Sequence, residues 1–142
     1  MDLGGKLISV GKASERDLQS IWAIDGHTIH QRFLSNAVKA GQCWAAGFDD
    51  VLAGFAVLDQ SFYEQGFLAL LSVHPGYCRR GIATALISHA ESVCPTAKFF
   101  TSTNQSNLPA QKLFESLGFI RNGCIDNLDE GDPEVVYFKK VR

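Results

Sequence analysis

A chain of 142 residues is long enough for one domain with a real hydrophobic core, and 46% hydrophobic with 11% aromatic residues excludes global disorder. A formal net charge of −2 and a pI near 6.0 give no broad basic field, so nucleic acid is not an expected partner. No apolar run reaches the ~18 residues of a membrane-spanning helix, and Met1 to Val10 lacks the apolar core of a signal peptide, so no membrane association and a cytoplasmic location are expected.

Lys6 to Lys12, with Leu7, Ile8 and Val10, reads as a first strand. Ser14 stands at an N-cap with Asp17 three residues on, and Leu18, Ile21, Trp22 and Ile24 form the apolar face of a helix that Gly26 ends. His27 to Ala40 carries Ile29, Phe33, Leu34, Ala37 and Val38 at helical spacing, with Gly41 as the stop. Cys43 to Phe48 and Val51 to Asp59 read as two strands joined through Asp49-Asp50 as a hairpin. A loop from Gln60 to Gly66 leads into a strand from Phe67 to Val73, and a helix runs from near Arg80 to about Val93. A strand from Lys98 to Ser102, a helix from Asn107 to Leu117 stopped by Gly118, and strands from Phe119 to Ile125 and Val135 to Val141 complete the chain. Helices interspersed in this way among strands predict a single mixed α/β or α+β domain over residues 1–142, with helices packed on a central sheet.

One junction carries chemistry. Pro75-Gly76 stops the apolar strand, and Ile82, Ala83, Leu86, Ile87, Ala90 and Val93 then recur at helical spacing. The first turn of such a helix leaves backbone N–H groups without internal partners and carries the positive end of the helix dipole, so an anion belongs there. Gly81 and Ala83 keep the approach open, and Arg79 and Arg80 supply charge for phosphate oxygens. A pyrophosphate is the best fit.

The loop Cys78-Arg79-Arg80-Gly81-Ile82-Ala83, after a strand ending in Val73-His74-Pro75, resembles the cofactor loop Q/R-x-x-G-x-G/A of the GNAT family of N-acetyltransferases. Cys78 departs from that pattern, standing where the family has Gln or Arg. Asn107-Leu108-Pro109-Ala110-Gln111-Lys112-Leu113-Phe114-Glu115-Ser116-Leu117-Gly118-Phe119 resembles the family's N-x-x-A-x-x-L-Y-x-x-x-G-F block, in the expected order and at the expected separation. The resemblance implies a mostly antiparallel central sheet of about seven strands with about four helices, splayed so that the cofactor's pantetheine arm enters the gap. It implies acetyl transfer from acetyl-CoA to the primary amine of a small molecule or peptide by direct attack on the thioester. The pyrophosphate would lie on the N–H groups of Arg79 to Thr84. The backbone of Leu71, Ser72 and Val73 would hold the pantetheine, with the Val73 N–H on the thioester carbonyl. Asn107, Ala110 and Phe114 would complete the cofactor site.

Such a reaction needs the amine neutral, and an alkylamine of pKa ~10.4 is almost wholly protonated at pH 7. The strand Leu68-Ala69-Leu70-Leu71-Ser72-Val73 holds no carboxylate, so Glu64 before it and His74 after it are the nearest base candidates, while Asp25, His27 and His30 lie in a region that shapes the acceptor site in the family. The usual general acid, the Tyr of L-Y-x-x-x-G-F, is replaced by Phe114; a water, Ser116 or another group would have to supply the proton. That replacement keeps open an acyl-CoA-binding sensor or regulatory domain of weak or lost catalysis. A nucleotide-binding α/β domain would instead require a parallel, doubly wound sheet. Asn127 to Glu134 is dense in carboxylates and reads either as a lure for a cationic amine or as a solvated hairpin loop. Cys43, Cys78, Cys94 and Cys124 form no C-x-x-C pair, so free thiols and no metal site are expected; Cys78, beside two arginines, reads as incidentally reactive. A homodimer is compatible with the sequence.

Overall fold

The computed structural model describes residues 8–142. Two compact units are formed, one by the chain up to Leu58 together with Leu70–Ser92, the other by Asp59–Ala69 and Val93–Arg142. Seven strands make one sheet in the order β1-β2-β3-β4-β5-β7-β6.

The first unit opens with β1 (Ile8–Lys12); the expected strand's Lys6 and Leu7 lie outside the described residues. The Ser14 N–H donates to Asp17 Oδ2 at 2.8 Å, closing the capping box expected there, and a 3₁₀ turn at Glu15–Asp17 leads into α1 (Leu18–Asp25). Gly26, at φ +75°, ends it. The single helix expected from His27 to Ala40 is divided. His27 is extended (φ −120°, ψ 108°), so the chain must restart, first as a 3₁₀ turn at Thr28–His30 and then as α2 (Gln31–Lys39).

β2 (Cys43–Phe48) pairs antiparallel with β1 and with β3 (Val51–Phe62). Asp49 and Asp50 both lie in the left-handed region, at φ 51° and 63°, the turn whose twist matches its strands. The loop expected from Gln60 to Gly66 is instead a two-residue turn: β3 runs to Phe62, β4 (Gln65–Val73) follows at once, and Tyr63 and Glu64 take φ 50° and 63°. Side chains hold this turn without glycine. Gln60 Nε2 donates to the Glu64 carbonyl at 2.9 Å, and Asp59 Oδ1 accepts from the Ser61 N–H and hydroxyl. So short a connection makes β3 and β4 antiparallel.

α3 (Ile82–Val93) begins two residues after the expected Arg80 and settles close to β3. The reason is Gly54. A Cβ there would stand 2.9 Å from Ile82 Cγ2 and 3.0 Å from the Ser72 carbonyl oxygen. With no side chain at 54, Ile82 and Leu86 press against the strand and are buried with Ile21, Leu34, Phe55 and Val57. The helix start is thereby held at the end of β4.

In the second unit, β5 (Lys98–Asn104) runs parallel to β4 over Gly66–Leu68 only, paired with Phe99–Thr101. The Thr101 hydroxyl, buried, donates to the Leu68 carbonyl at 3.0 Å. α4 (Leu108–Ser116) follows, then β6 (Ile120–Ile125) and β7 (Glu134–Lys140), which pair antiparallel with each other, and β7 with β5. Phe99, Phe114, Phe119 and Tyr137 pack with tilted rings, centroids 5.4–5.7 Å apart, as the unit's aromatic core. The Arg142 guanidinium donates to the carbonyls of Cys94 and Thr96, tying the end of the chain down. Among the described residues no helix is long and apolar enough to cross a membrane.

Candidate active site

The functional residues expected from sequence fall into two groups. Leu71 to Thr84 lie in the first unit, while Glu64, Asn107, Ala110 and Phe114 lie in the second.

In the first unit β4 ends beside β3. The His74 N–H donates to the Ala53 carbonyl on β3 at 2.7 Å. Because successive backbone groups alternate direction along a strand, the Val73 N–H, and the Leu71 N–H two residues back, point away from β3. The β5 ladder covers Gly66–Leu68, and among the described residues no register partner is found on that side from Ala69 onward.

The turn that follows is pinned by His74. Its Nδ1 accepts the Gly76 N–H at 2.9 Å, capping the 3₁₀ turn Pro75–Tyr77. A neutral imidazole that accepts at Nδ1 carries its proton on Nε2, which leaves it no free lone pair while the cap is made. Next, Arg79 and Gly81 take φ 62° and 84°. The Gly81 carbonyl accepts the Ala85 N–H at 2.9 Å and opens α3, so the N–H groups of Ile82, Ala83 and Thr84 form the unpartnered first turn. Gly81 is needed there, since a side chain at that φ is strained. Ile82 offers only its backbone, its side chain being buried against Gly54.

The two arginines have different settings. Arg80 lays its guanidinium over the rings of Phe48, at 5.5 Å, and Tyr77, at 5.9 Å, and Tyr77 packs edge-on to His74 at 5.3 Å. Arg79 is exposed at the strained corner beside the helix start, and Cys78 is likewise exposed, its thiol 3.8 Å from the His74 carbonyl. Beside the turn is a cavity of about 310 Å³ lined by Ser20, Ala23 and Ile24 of α1, Val51 and Leu52 of β3, and His74 and Pro75.

In the second unit, Asn107 caps α4, its Oδ1 accepting the Ala110 N–H at 3.2 Å. Phe114 is buried between Phe119 and Tyr137. The Tyr137 hydroxyl, on the ring packed against Phe114, donates to Glu115 Oε2 at 3.0 Å; burial and the Glu115 carboxylate hold this phenol above its ordinary range. Glu64 stands exposed at the β3–β4 turn. The acidic stretch is largely engaged: Asp129 accepts from Asn104 Nδ2, Asp132 from the Ser106 N–H and hydroxyl, and Glu134 from the Ser102 hydroxyl, all within 2.7–3.0 Å. These bonds fix the β6–β7 loop to the residues leading into α4.

One pair was not singled out by spacing. His30 Nδ1 lies 3.0 and 3.1 Å from the two carboxylate oxygens of Asp25, across the Gly26 helix stop. The Asp25 side chain is only 4% exposed, that of His30 37%.

A strand end running into a left-handed glycine and a bare helix start is a backbone arrangement suited to an extended, anionic ligand. Residues 9–119 match the model of the acetyltransferase (GNAT) family, and the chain belongs to that family. It is similar to a GNAT-family acetyltransferase from Bacillus cereus ATCC 10987, with 40% identity and a TM-score of 0.90 over 94% of this chain and 97% of that one. It shares its fold with the ribosomal-protein-S18-alanine N-acetyltransferase of Escherichia coli, at 19% identity and a TM-score of 0.77 over 95% and 94% of the two chains. The same holds for Arabidopsis thaliana Naa50, solved with the bisubstrate analogue CoA-Ac-MVNAL, at 19% identity and a TM-score of 0.75 over 94% and 98%. No curated protein sequence matches the chain.

Proposed function

We propose that this protein transfers the acetyl group of acetyl-CoA to the primary amine of a small molecule or peptide, in the cytoplasm, by direct attack of the amine. The observation that carries this reading is the Val73-to-Thr84 segment, where strand N–H groups facing away from β3, a left-handed glycine and an open helix start follow one another in the chain. These groups fit the donor. The N–H groups of Ile82, Ala83 and Thr84 suit a pyrophosphate, with Arg79 placed to add charge, while Arg80 is held over Phe48 and Tyr77 and shapes the loop. The edge of Leu71 to Val73 suits an extended amide-bearing arm laid down as an added strand, and the Val73 N–H suits a developing oxyanion. When bound, acetyl-CoA supplies an acetyl thioester whose thiolate is a fair leaving group.

Phe114 supports a second reading, an acyl-CoA-binding sensor with weak or no turnover. The side chain is buried in an aromatic core, and the Tyr137 hydroxyl beside it is bonded to Glu115. An acetyl-CoA turnover assay against a panel of amines and short peptides separates the two. Acetylated product above the uncatalysed rate is expected; binding of acetyl-CoA with no product from any amine would favour the sensor.

A further inference from the structure

We propose that the second unit offers a docking face to a second copy of this chain, on the side of β5 and β7 turned away from α4. Phe114 of α4 packs on Tyr137, so strand alternation turns Phe138, and Phe100 paired with it, to the opposite face. On that face an apolar row crosses four strands: Phe67 of β4 pairs with Phe100 of β5, Phe100 with Phe138 of β7, and Phe138 with Ile120 of β6. Phe62 stacks on Phe67, centroids 5.2 Å apart, and carries the row to β3. All five residues lie in the second unit; the four rings are half-buried and Ile120 is 62% exposed. An apolar stripe of this extent at the surface marks an association site.

The face also has a polarity along its strands. Four cross-strand pairs of β5 and β7 lie on it in succession, Lys98–Lys140, Phe100–Phe138, Ser102–Val136 and Asn104–Glu134, with about 6.8 Å between one row and the next. The order is therefore basic, aromatic, small, and then amide with carboxylate. Lys98 and Lys140, both exposed, stand directly opposite each other, an arrangement that costs stability and that an incoming carboxylate relieves. Glu134, at the other end, is held in place by the Ser102 hydroxyl, which donates to its Oε2 at 2.7 Å.

Such a face complements itself. Two copies laid face to face with antiparallel strands, about a two-fold axis lying between the aromatic and the small rows, set Lys140 of each against the partner's Glu134. The same axis seats the Phe138 ring of each over the partner's Val136, large against small, and symmetry makes both contacts twice. An anionic membrane or a nucleic acid fits less well, because it would meet Glu134 on the same face as the lysines. Opposite charges at the two ends with apolar rows between them call for a partner that carries the same order reversed, and a second copy is that partner.

The test is the mass of the full chain in solution, by sedimentation equilibrium at low salt over about a hundredfold range of concentration. Wild type is expected to pass from monomer to dimer across that range. Lys140→Glu and Glu134→Lys, each made alone, should raise the dimer Kd at least about tenfold by bringing like charges together. Mixed with each other, these two variants should form a heterodimer close to wild type in Kd, since each then supplies the charge that the other lacks at both contacts. Loss of folding would remove association from both variants and from their mixture alike, so recovery on mixing separates the contact from a folding defect. The proposal is overturned if wild type stays monomeric throughout, including the case in which that monomer binds phosphatidylserine vesicles instead. It is equally overturned if a dimer forms that neither charge variant weakens, or if mixing restores nothing.

Discussion

Phe99→Ala is expected to lower the unfolding free energy by about 3–5 kcal/mol, against a total of roughly 5–15 kcal/mol for a domain. Phe99 is fully buried and packs on Phe119, which packs on Phe114, which packs on Tyr137. Removing the ring takes the end member from this chain of aromatic contacts, and β5, paired on both sides, cannot shift to fill the cavity. Ile120 is the contrast. It stands 62% exposed on the edge strand β6, and Ile120→Ala should change stability by no more than about 0.5 kcal/mol. Urea unfolding of the two variants beside wild type checks this. Equal small losses would mean that the aromatic chain is not the core of the second unit.

Alkaline pH should destabilise the protein through Cys43. Burial, with a smaller contribution from the Asp17 charge, pushes this thiol from 9.0 to about 12. Below pH 9 the folded and unfolded chains both keep the proton, so the contribution is complete. As pH rises from 9 toward 12 only the unfolded chain gives up its proton, and stability falls by several kcal/mol. Tyr137, raised from 10.0, acts with the same sign starting from a higher pH. Urea midpoints at pH 8 and about pH 10.5 should therefore fall steeply in wild type. Cys43→Ala should start lower and fall less. Parallel slopes in the two proteins would remove Cys43 as the cause.

The fold was legible where a physical period or a stop residue marked it. The strand-to-helix junction at Val73 to Ala83, the Ser14–Asp17 capping box, the Asp49–Asp50 hairpin and the glycine stops at 26, 41 and 118 all stand where their chemistry places them. The β3–β4 turn did not show, because Tyr63 and Glu64 adopt left-handed backbone normally signalled by Asn or Gly, and the polar residues around them hide the strand alternation. The break between His27 and Gln31 was hidden for the converse reason: helical apolar spacing continues across a residue whose backbone is extended.

In the candidate site, the backbone parts were legible and the side-chain pairings were not. Gly81 announces a left-handed position and Ile82 a helix. That Arg80 would turn onto Phe48 and Tyr77, that His74 would cap its own turn, and that Asp25 would reach His30 across Gly26 all depend on loop geometry. The acidic loop illustrates the same limit, since carboxylates that read as free charge are bound to Asn104, Ser106 and Ser102.

The central claim is that the loop from Arg79 to Thr84 holds acetyl-CoA. Its most direct test is the thermal midpoint of wild type and of the double variant Arg79→Glu, Gly81→Glu, with and without acetyl-CoA. A ligand at 100 times its Kd adds about 2.7 kcal/mol to a protein that binds it only when folded. A clear rise in the wild-type midpoint, absent from the folded double variant, is the predicted result. A wild-type midpoint unmoved by millimolar acetyl-CoA, or an equal rise in both proteins, would contradict the account.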